Sequence, residues 1–145
     1  MRCRAAASRE KRHKVMLTGR RILVVEDDPG TAEALCNEIL SRQGQPFGPV
    51  SDIWEALEWL ARERIDAAMV DFDLRAGDAA ALAHALAGGG KGVLVYTSRD
   101  LAERMFADVH RIAVWRKPIN AAAAVTRLAE LLGPTGRPAK ARGRR

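Results

Sequence analysis

Arg21-Ile22-Leu23-Val24-Val25-Glu26-Asp27-Asp28 carries an unbroken apolar run straight into three acids. An apolar run without alternation is what a strand covered on both faces requires. Acids placed directly after it fall at the carboxyl end of that strand. The pattern recurs down the chain. Ala67-Ala68-Met69-Val70 runs into Asp71, Val93-Leu94-Val95-Tyr96 runs into Thr97, and Ile112-Ala113-Val114-Trp115 is followed closely by Lys117-Pro118. In a parallel α/β sheet such strand ends converge on one edge, where ligands bind. Carboxylates, a hydroxyl and an ammonium are thus expected at a single edge of one sheet.

Helical spacing fills the gaps between these runs. Pro29 opens a segment in which Ala32, Leu35, Cys36, Ile39 and Leu40 recur every three or four positions, one buried stripe. Ile53, Ala56, Leu57, Leu60 and Ala61 form a second stripe, with Ser51 or Asp52 as its cap. Asp78 caps a third helix through Ala80, Leu82, Ala83 and Leu86, and Gly88-Gly89-Gly90 stops it. A short helix is predicted near 100–108, with Leu101, Met105 and Phe106, and a last one from Ala121 to Leu132, ended by Gly133-Pro134. Phe47-Gly48-Pro49-Val50 reads as a short strand at a sheet edge, because its proline has no N–H to give to a ladder. The third strand is predicted over 65–72, interrupted by Asp66. Strands and helices in this alternation predict a doubly wound α/β fold. It has one five-stranded parallel sheet of order 2-1-3-4-5, helices on both faces and right-handed crossovers.

The 145 residues suffice for one domain with a full core and leave no room for a second. No apolar stretch reaches the roughly 18 residues of a membrane span, and the basic start lacks the apolar run of a secretory signal. Cys3 and Cys36 read as free thiols of a reducing compartment, hence a cytoplasmic protein. His13, His84 and His110 share no metal motif. The net charge of +6 hides a division. Residues 1–21 hold eight Lys or Arg against one Glu, residues 133–145 hold five and no acid, and the span 22–132 holds 11 basic and 17 acidic residues. An acidic body lies between two basic ends that lack periodic apolar residues, so 1–20 and 133–145 are expected to be disordered tails. Met16 offers a second place for translation to begin. Solvated tails are the plainer reading; contact with nucleic acid or anionic surfaces is the lesser one.

Glu26, Asp27 and Asp71 come from strands that are neighbours in the expected order, and carboxylates brought that close repel one another. Mg²⁺ is the natural counter-ion, since it prefers oxygen ligands and works beside phosphates. The backbone carbonyl of Asp73 is a further oxygen candidate. Lys117 is placed to pair with Asp71 and to hold a phosphoryl oxygen, and Thr97 to donate to another. A carboxylate nucleophile, a metal and charge-neutralising donors make a phosphoryl-transfer set. Taken singly, each residue has a bland reading as a cap, a local hydrogen-bonder or a Lys-Pro turn. Taken together they serve one chemistry.

With these residues in place, the chain resembles the receiver domain of bacterial two-component response regulators, over about residues 20 to 132. Glu26 and Asp27 match that family's Mg²⁺-binding acidic pair. Asp71, within Val70-Asp71-Phe72-Asp73-Leu74, matches its phosphorylated aspartate, Thr97 its hydroxyl residue, and Lys117-Pro118 its lysine and following proline. The resemblance implies a stand-alone, flavodoxin-like receiver domain over 21–132, similar in fold to a chemotaxis regulator. It implies transfer of a phosphoryl group from the phosphohistidine of a sensor histidine kinase or a histidine phosphotransfer protein to Asp71, and then hydrolysis of the acyl phosphate. The receiver would catalyse both steps on itself rather than turn over a separate substrate. It would signal by docking to a downstream protein or by forming a phosphorylation-dependent homodimer, since no output module follows Leu132.

The chain departs from the family in places. Three residues before Lys117, where many receivers carry Tyr or Phe as a rotating switch, stands Val114, and Trp115 is expected to face the opposite side of its strand. Arg75-Ala76-Gly77 lacks the usual proline after the phosphorylated residue. In the family the positions held here by Asp73 and Arg99 border the path of attacking water, so by that resemblance an ion pair between them is expected to lengthen the life of the phosphorylated state. The surface of the fourth helix, fifth strand and fifth helix is the family's usual docking face; Ala107, Ile119 and Ala121 to Ala124 either make it less polar than expected or, the plainer reading for most of them, are ordinary helix-core contacts. Rival readings are a receiver-like module that binds protein without phosphorylation, a nucleic-acid binder acting through basic tails, and an aspartate-nucleophile phosphatase. For the last, Asp71-Phe72-Asp73 has the right alternation, but it lies on the third strand, is followed by Arg75 where a Thr is expected, and lacks a cap domain.

Overall fold

The computed structural model describes residues 14–74 and 78–134. Strands and helices alternate throughout: β1 Arg21–Val25, α1 Pro29–Ser41, β2 Gln45–Val50, α2 Ile53–Arg62, β3 Ala67–Asp71, α3 Ala79–Gly88, β4 Gly92–Thr97, α4 Leu101–Met105, β5 Ile112–Arg116 and α5 Ala121–Leu132. The strands form one parallel sheet in the order β2-β1-β3-β4-β5, the expected doubly wound arrangement.

Successive strand residues point to opposite faces, and both faces are covered. Ile22, Val24, Met69, Leu94 and Tyr96 pack against Leu35 and Ile39 of α1 and Val125 and Leu128 of α5. Leu23, Val25, Val70, Val93 and Val95 pack against Ile53 and Ala56 of α2, Leu82 and Leu86 of α3, and Phe106 just past α4. This double cover is why the strands read as continuous apolar runs. The edge strand β2 carries both Pro46 and Pro49, as a strand with one unpaired side tolerates. Gly48 there adopts φ +96, and a side chain would lie 2.8 Å from the Val50 nitrogen and 3.0 Å from the Val24 carbonyl oxygen. Four helices start with a side-chain cap: Asp28, Asp52, Asp78 and Asn120 accept from the N–H groups of Thr31, Glu55, Ala81 and Ala123.

Several expectations are corrected. The buried stripe of α2 is rotated: Leu57 and Ala61 are exposed, while Trp59 turns inward and meets Phe47 edge to face at 5.5 Å. The larger indole surface takes the inward place. Leu40 of α1 is likewise exposed. The third strand runs from Ala67 to Asp71; just before it the Asp66 N–H donates to the Arg21 carbonyl at 2.8 Å, while the Asp66 carboxylate accepts from the Arg21 N–H at 2.8 Å and pairs with Arg64. The boundary expected between residues 20 and 21 falls earlier. Leu17 is fully buried in the α1/α5 core, and its N–H donates to the Arg42 carbonyl at 2.8 Å. Arg42 is itself buried; it donates to the carbonyls of Val15 and Ala122 at 3.0 and 2.8 Å and pairs with Glu38 at 2.9 Å. The Arg20 guanidinium donates to the carbonyls of Gly133 and Pro134 at 3.3 and 2.9 Å, so the segment before β1 is tied to the end of α5. The expected tails over 1–13 and 135–145, Cys3, and the Arg75-Ala76-Gly77 turn lie outside the described residues. Cys36 is a half-buried free thiol. Among the described residues, no helix is long and apolar enough to cross a membrane.

Candidate functional site

The carboxyl ends of β1, β3, β4 and β5 deliver the site, and backbone bonds fix each delivery. The Glu26 N–H continues the ladder past β1 by donating to the Val50 carbonyl at 2.8 Å. Asp71 is paired in register with Tyr96. The Lys117 N–H donates to the Thr97 carbonyl at 2.8 Å, which sets Lys117 one step beyond β5 and beside the end of β4. Glu26, Asp27 and Asp71 each place a carboxylate oxygen within 4.8 Å of the others. Glu26 and Asp71 are buried and Asp27 is exposed.

Each buried acid is held by donors. One Glu26 oxygen accepts from the Asp28 N–H at 2.9 Å, and the other accepts from the Tyr96 hydroxyl at 2.6 Å. One Asp71 oxygen accepts from the Asp73 N–H at 2.9 Å and lies 3.0 Å from the Lys117 ammonium. Lys117 also lies 3.2 Å from Asp73 and 5.8 Å from the centre of the Tyr96 ring. Asp28, third in the acidic run, turns away to cap α1.

Asp73 gathers more donors than its neighbours. It accepts from the Thr97 hydroxyl at 3.0 Å, the Ser98 N–H at 3.0 Å and the Ser98 hydroxyl at 3.1 Å, besides Lys117. The expected bridge to Arg99 is the weakest of these contacts, at 3.9 Å, with the Arg99 side chain 66% exposed. Thr97 is fully buried.

The electrostatics follow from this packing. Burial pushes the Glu26 carboxyl up and outweighs the bonds from Tyr96 and Asp28, with the nearby Asp71 adding to the rise. Burial works to raise Asp73 as well, but there the bonds from Ser98, Lys117 and Thr97 prevail and hold it below the usual carboxylate range. Burial works to lower the Lys117 ammonium, and its bonds to Asp71 and Asp73 overcome this and raise it. Tyr96 is driven far up by burial and then by the charge of Glu26, so its hydroxyl keeps its proton and remains a donor.

The sequence-predicted residues Glu26, Asp27, Asp71, Asp73, Thr97 and Lys117 all lie at this one edge, and most line a single open pocket with Tyr96 and Pro118. Sequence reasoning missed Tyr96 and Ser98. Tyr96 had a signal: it is the chain's one tyrosine and closes an otherwise aliphatic strand. Ser98 had none. Val114 and Trp115 face opposite sides of β5, one packed with each core, as expected. The all-oxygen donor set of Glu26, Asp27 and Asp71 suits a hard divalent cation.

No family model matches the chain, and no curated protein matches it in sequence. Solved structures do. SdrG from Sphingomonas melonis Fr1 is 28% identical over 78% of this chain and 95% of its own, with a TM-score of 0.64. The receiver domain of a signal transduction histidine kinase from Syntrophus aciditrophicus is 24% identical over 79% and 90%, with a TM-score of 0.67. A response regulator receiver protein from Sinorhizobium medicae WSM419 is 18% identical over 78% and 94%, with a TM-score of 0.68. The fold is that of a response-regulator receiver domain. In the receiver fold found here, the acidic cluster, the buried hydroxyl and the lysine share the sheet edge at which parallel α/β proteins bind ligands.

Proposed function

We propose that the chain is a cytoplasmic response-regulator receiver whose Asp71 accepts a phosphoryl group from the phosphohistidine of a histidine kinase or a histidine phosphotransfer protein. The observation that carries this is the Lys117 ammonium 3.0 Å from an oxygen of Asp71, whose carboxylate also belongs to the three-carboxylate cluster. Asp71 attacks phosphorus, the phosphorus–nitrogen bond breaks, and the leaving imidazole takes the electron pair. Lys117 neutralises charge on the group in transit, and Thr97 donates to one of its oxygens. Hydrolysis reverses the modification: water attacks phosphorus, the phosphorus–oxygen bond breaks, and the Asp71 carboxylate is restored. Glu26, Asp27 and Asp71, with the Asp73 carbonyl, would hold Mg²⁺, which supplies positive charge against the phosphoryl oxygens.

The signal is read by docking to a downstream protein or to a second copy of the chain. The surface around α4, β5 and α5, with exposed Met105, Ala107, Ala122 and Ala123 beside half-buried Ile119, is the candidate face. Incubation with Mg²⁺ and acetyl phosphate, followed by intact mass, tests the reading. The wild type gains one phosphoryl group and Asp71→Asn gains none. No gain by the wild type contradicts it and leaves a phosphorylation-independent binding module as the better account.

A further inference from the structure

Asp73 is engaged by Thr97 and Lys117, the two groups assigned above to a phosphoryl group on Asp71, and by Ser98 beside them. The Thr97 hydroxyl, the Ser98 N–H and the Lys117 ammonium all reach its carboxylate at 3.0 to 3.2 Å. Thr97 has one hydroxyl hydrogen and Ser98 one amide hydrogen, so neither donates fully to two acceptors at once. Lys117 is already divided between Asp71 at 3.0 Å and Asp73 at 3.2 Å. The Asp73 N–H donates to Asp71, so the two carboxylates are coupled through a single short turn.

Resting on the reading that Asp71 is phosphorylated, we propose that the Asp73 side chain is a stand-in for the phosphoryl group. It occupies the phosphoryl donors in the resting protein and sets the rate at which the reaction can recruit them. A dianionic group arriving on Asp71 competes for the same hydrogens and repels the neighbouring carboxylate. Asp73 must therefore release Thr97, Ser98 and Lys117 as the new bond forms. Arg99 is placed to receive it: its Nε already lies 3.9 Å from an Asp73 oxygen, on the solvent side of the contact. The exchange moves the end of β4 and the start of α4 as Thr97 and Ser98 change acceptor, which links the chemistry to the candidate docking face. Asp73 is in this sense a positioning residue, acting through Thr97, Ser98 and Lys117.

The test is the rate of phosphoryl gain from acetyl phosphate with Mg²⁺, followed by intact mass in wild type, Asp73→Ala, Asp73→Asn and Arg99→Ala. In the step, an Asp71 oxygen attacks phosphorus, the bond to acetate breaks, and acetate leaves with the electron pair. Asp73→Ala is expected to gain phosphoryl mass about tenfold faster, the scale of one lost charge-assisted hydrogen bond. Asp73→Asn should show a smaller gain, and Arg99→Ala a slower uptake than wild type. The Ser98 amide proton gives a signature that general loosening would not. It should shift upfield in resting Asp73→Ala and return downfield on phosphorylation, while in wild type it stays downfield in both states. If the wild type is phosphorylated but Asp73→Ala reacts at the same rate or slower, the stand-in role is overturned and the Asp71 reading survives. If neither protein gains mass, the Asp71 reading itself fails and the inference goes with it.

Discussion

Tyr96 shows what a single side chain does at this edge. Its hydroxyl is the donor that satisfies one oxygen of buried Glu26, and its ring lies beneath the Lys117 ammonium. Tyr96→Phe keeps the ring and removes only the donor. Leaving a buried carboxylate short of a partner costs on the order of 1–3 kcal/mol, so urea unfolding in EDTA should show a loss of that size; an unchanged midpoint would contradict the assigned hydrogen bond. At this scale the sequence was partly legible. Asp71 and Lys117 stood out because each follows an apolar run, and strand ends are where polar groups cost least and serve most. The Tyr96–Glu26 pair was hidden, because it joins residues 70 positions apart across two strands. The donors on Asp73 were hidden for the same reason: spacing places a residue at an edge but does not say which way its carboxylate turns.

Helices and strands were legible where one face decides the pattern. The stripe of Leu35 and Ile39 in α1, and the match of α5 to Ala121–Leu132, follow from periodicity that tertiary packing does not disturb. The stripe of α2 was misread at Leu57 and Ala61, because two tryptophans compete for the inward position and only the packing of Phe47 against Trp59 decides between them. The segment before β1 was misread because charge dominates its composition, while its anchoring depends on one leucine and one buried arginine. That arginine, Arg42, ties α1 to the incoming segment and to α5 and is partnered by Glu38. Burial works to raise the Glu38 carboxyl, but the bonds from Arg42 and Lys14 prevail and lower it. A carboxyl lowered by folding lends stability above its unfolded value, about 4.3 for glutamate, and that stability drains as pH falls through the lower folded value. Glu38→Gln should therefore be less stable than wild type at neutral pH and lose less on acidification. Parallel pH dependences in the two proteins, followed by thermal unfolding, would contradict the pairing.

For the molecule as a whole, the clustered charge at the acidic edge bears on stability. The clustered carboxylates of Glu26, Asp27 and Asp71 repel, and a cation that binds only the folded chain stabilises it by mass action. Mg²⁺ at about 100 times its dissociation constant should add about 2.7 kcal/mol, read as a rise in thermal midpoint. Asp27→Asn should abolish most of that rise, and because Asp27 is exposed the variant should fold normally without metal. An equal rise in both proteins would place the cation elsewhere. The division between an acidic body and basic ends was plain from the sequence. The doubly wound order was plain too, since strands of this character, alternating with helices, leave few topologies to choose from.

The most direct test is to trap the modified residue itself. After reaction with acetyl phosphate and Mg²⁺, borohydride reduces an acyl phosphate on aspartate to homoserine, and peptide mass mapping locates it. The account expects homoserine at position 71 and nowhere else, with none in Asp71→Asn. Homoserine at another aspartate, or none in wild type under conditions that label other acyl phosphates, would contradict the claim that Asp71 is the phosphoryl acceptor.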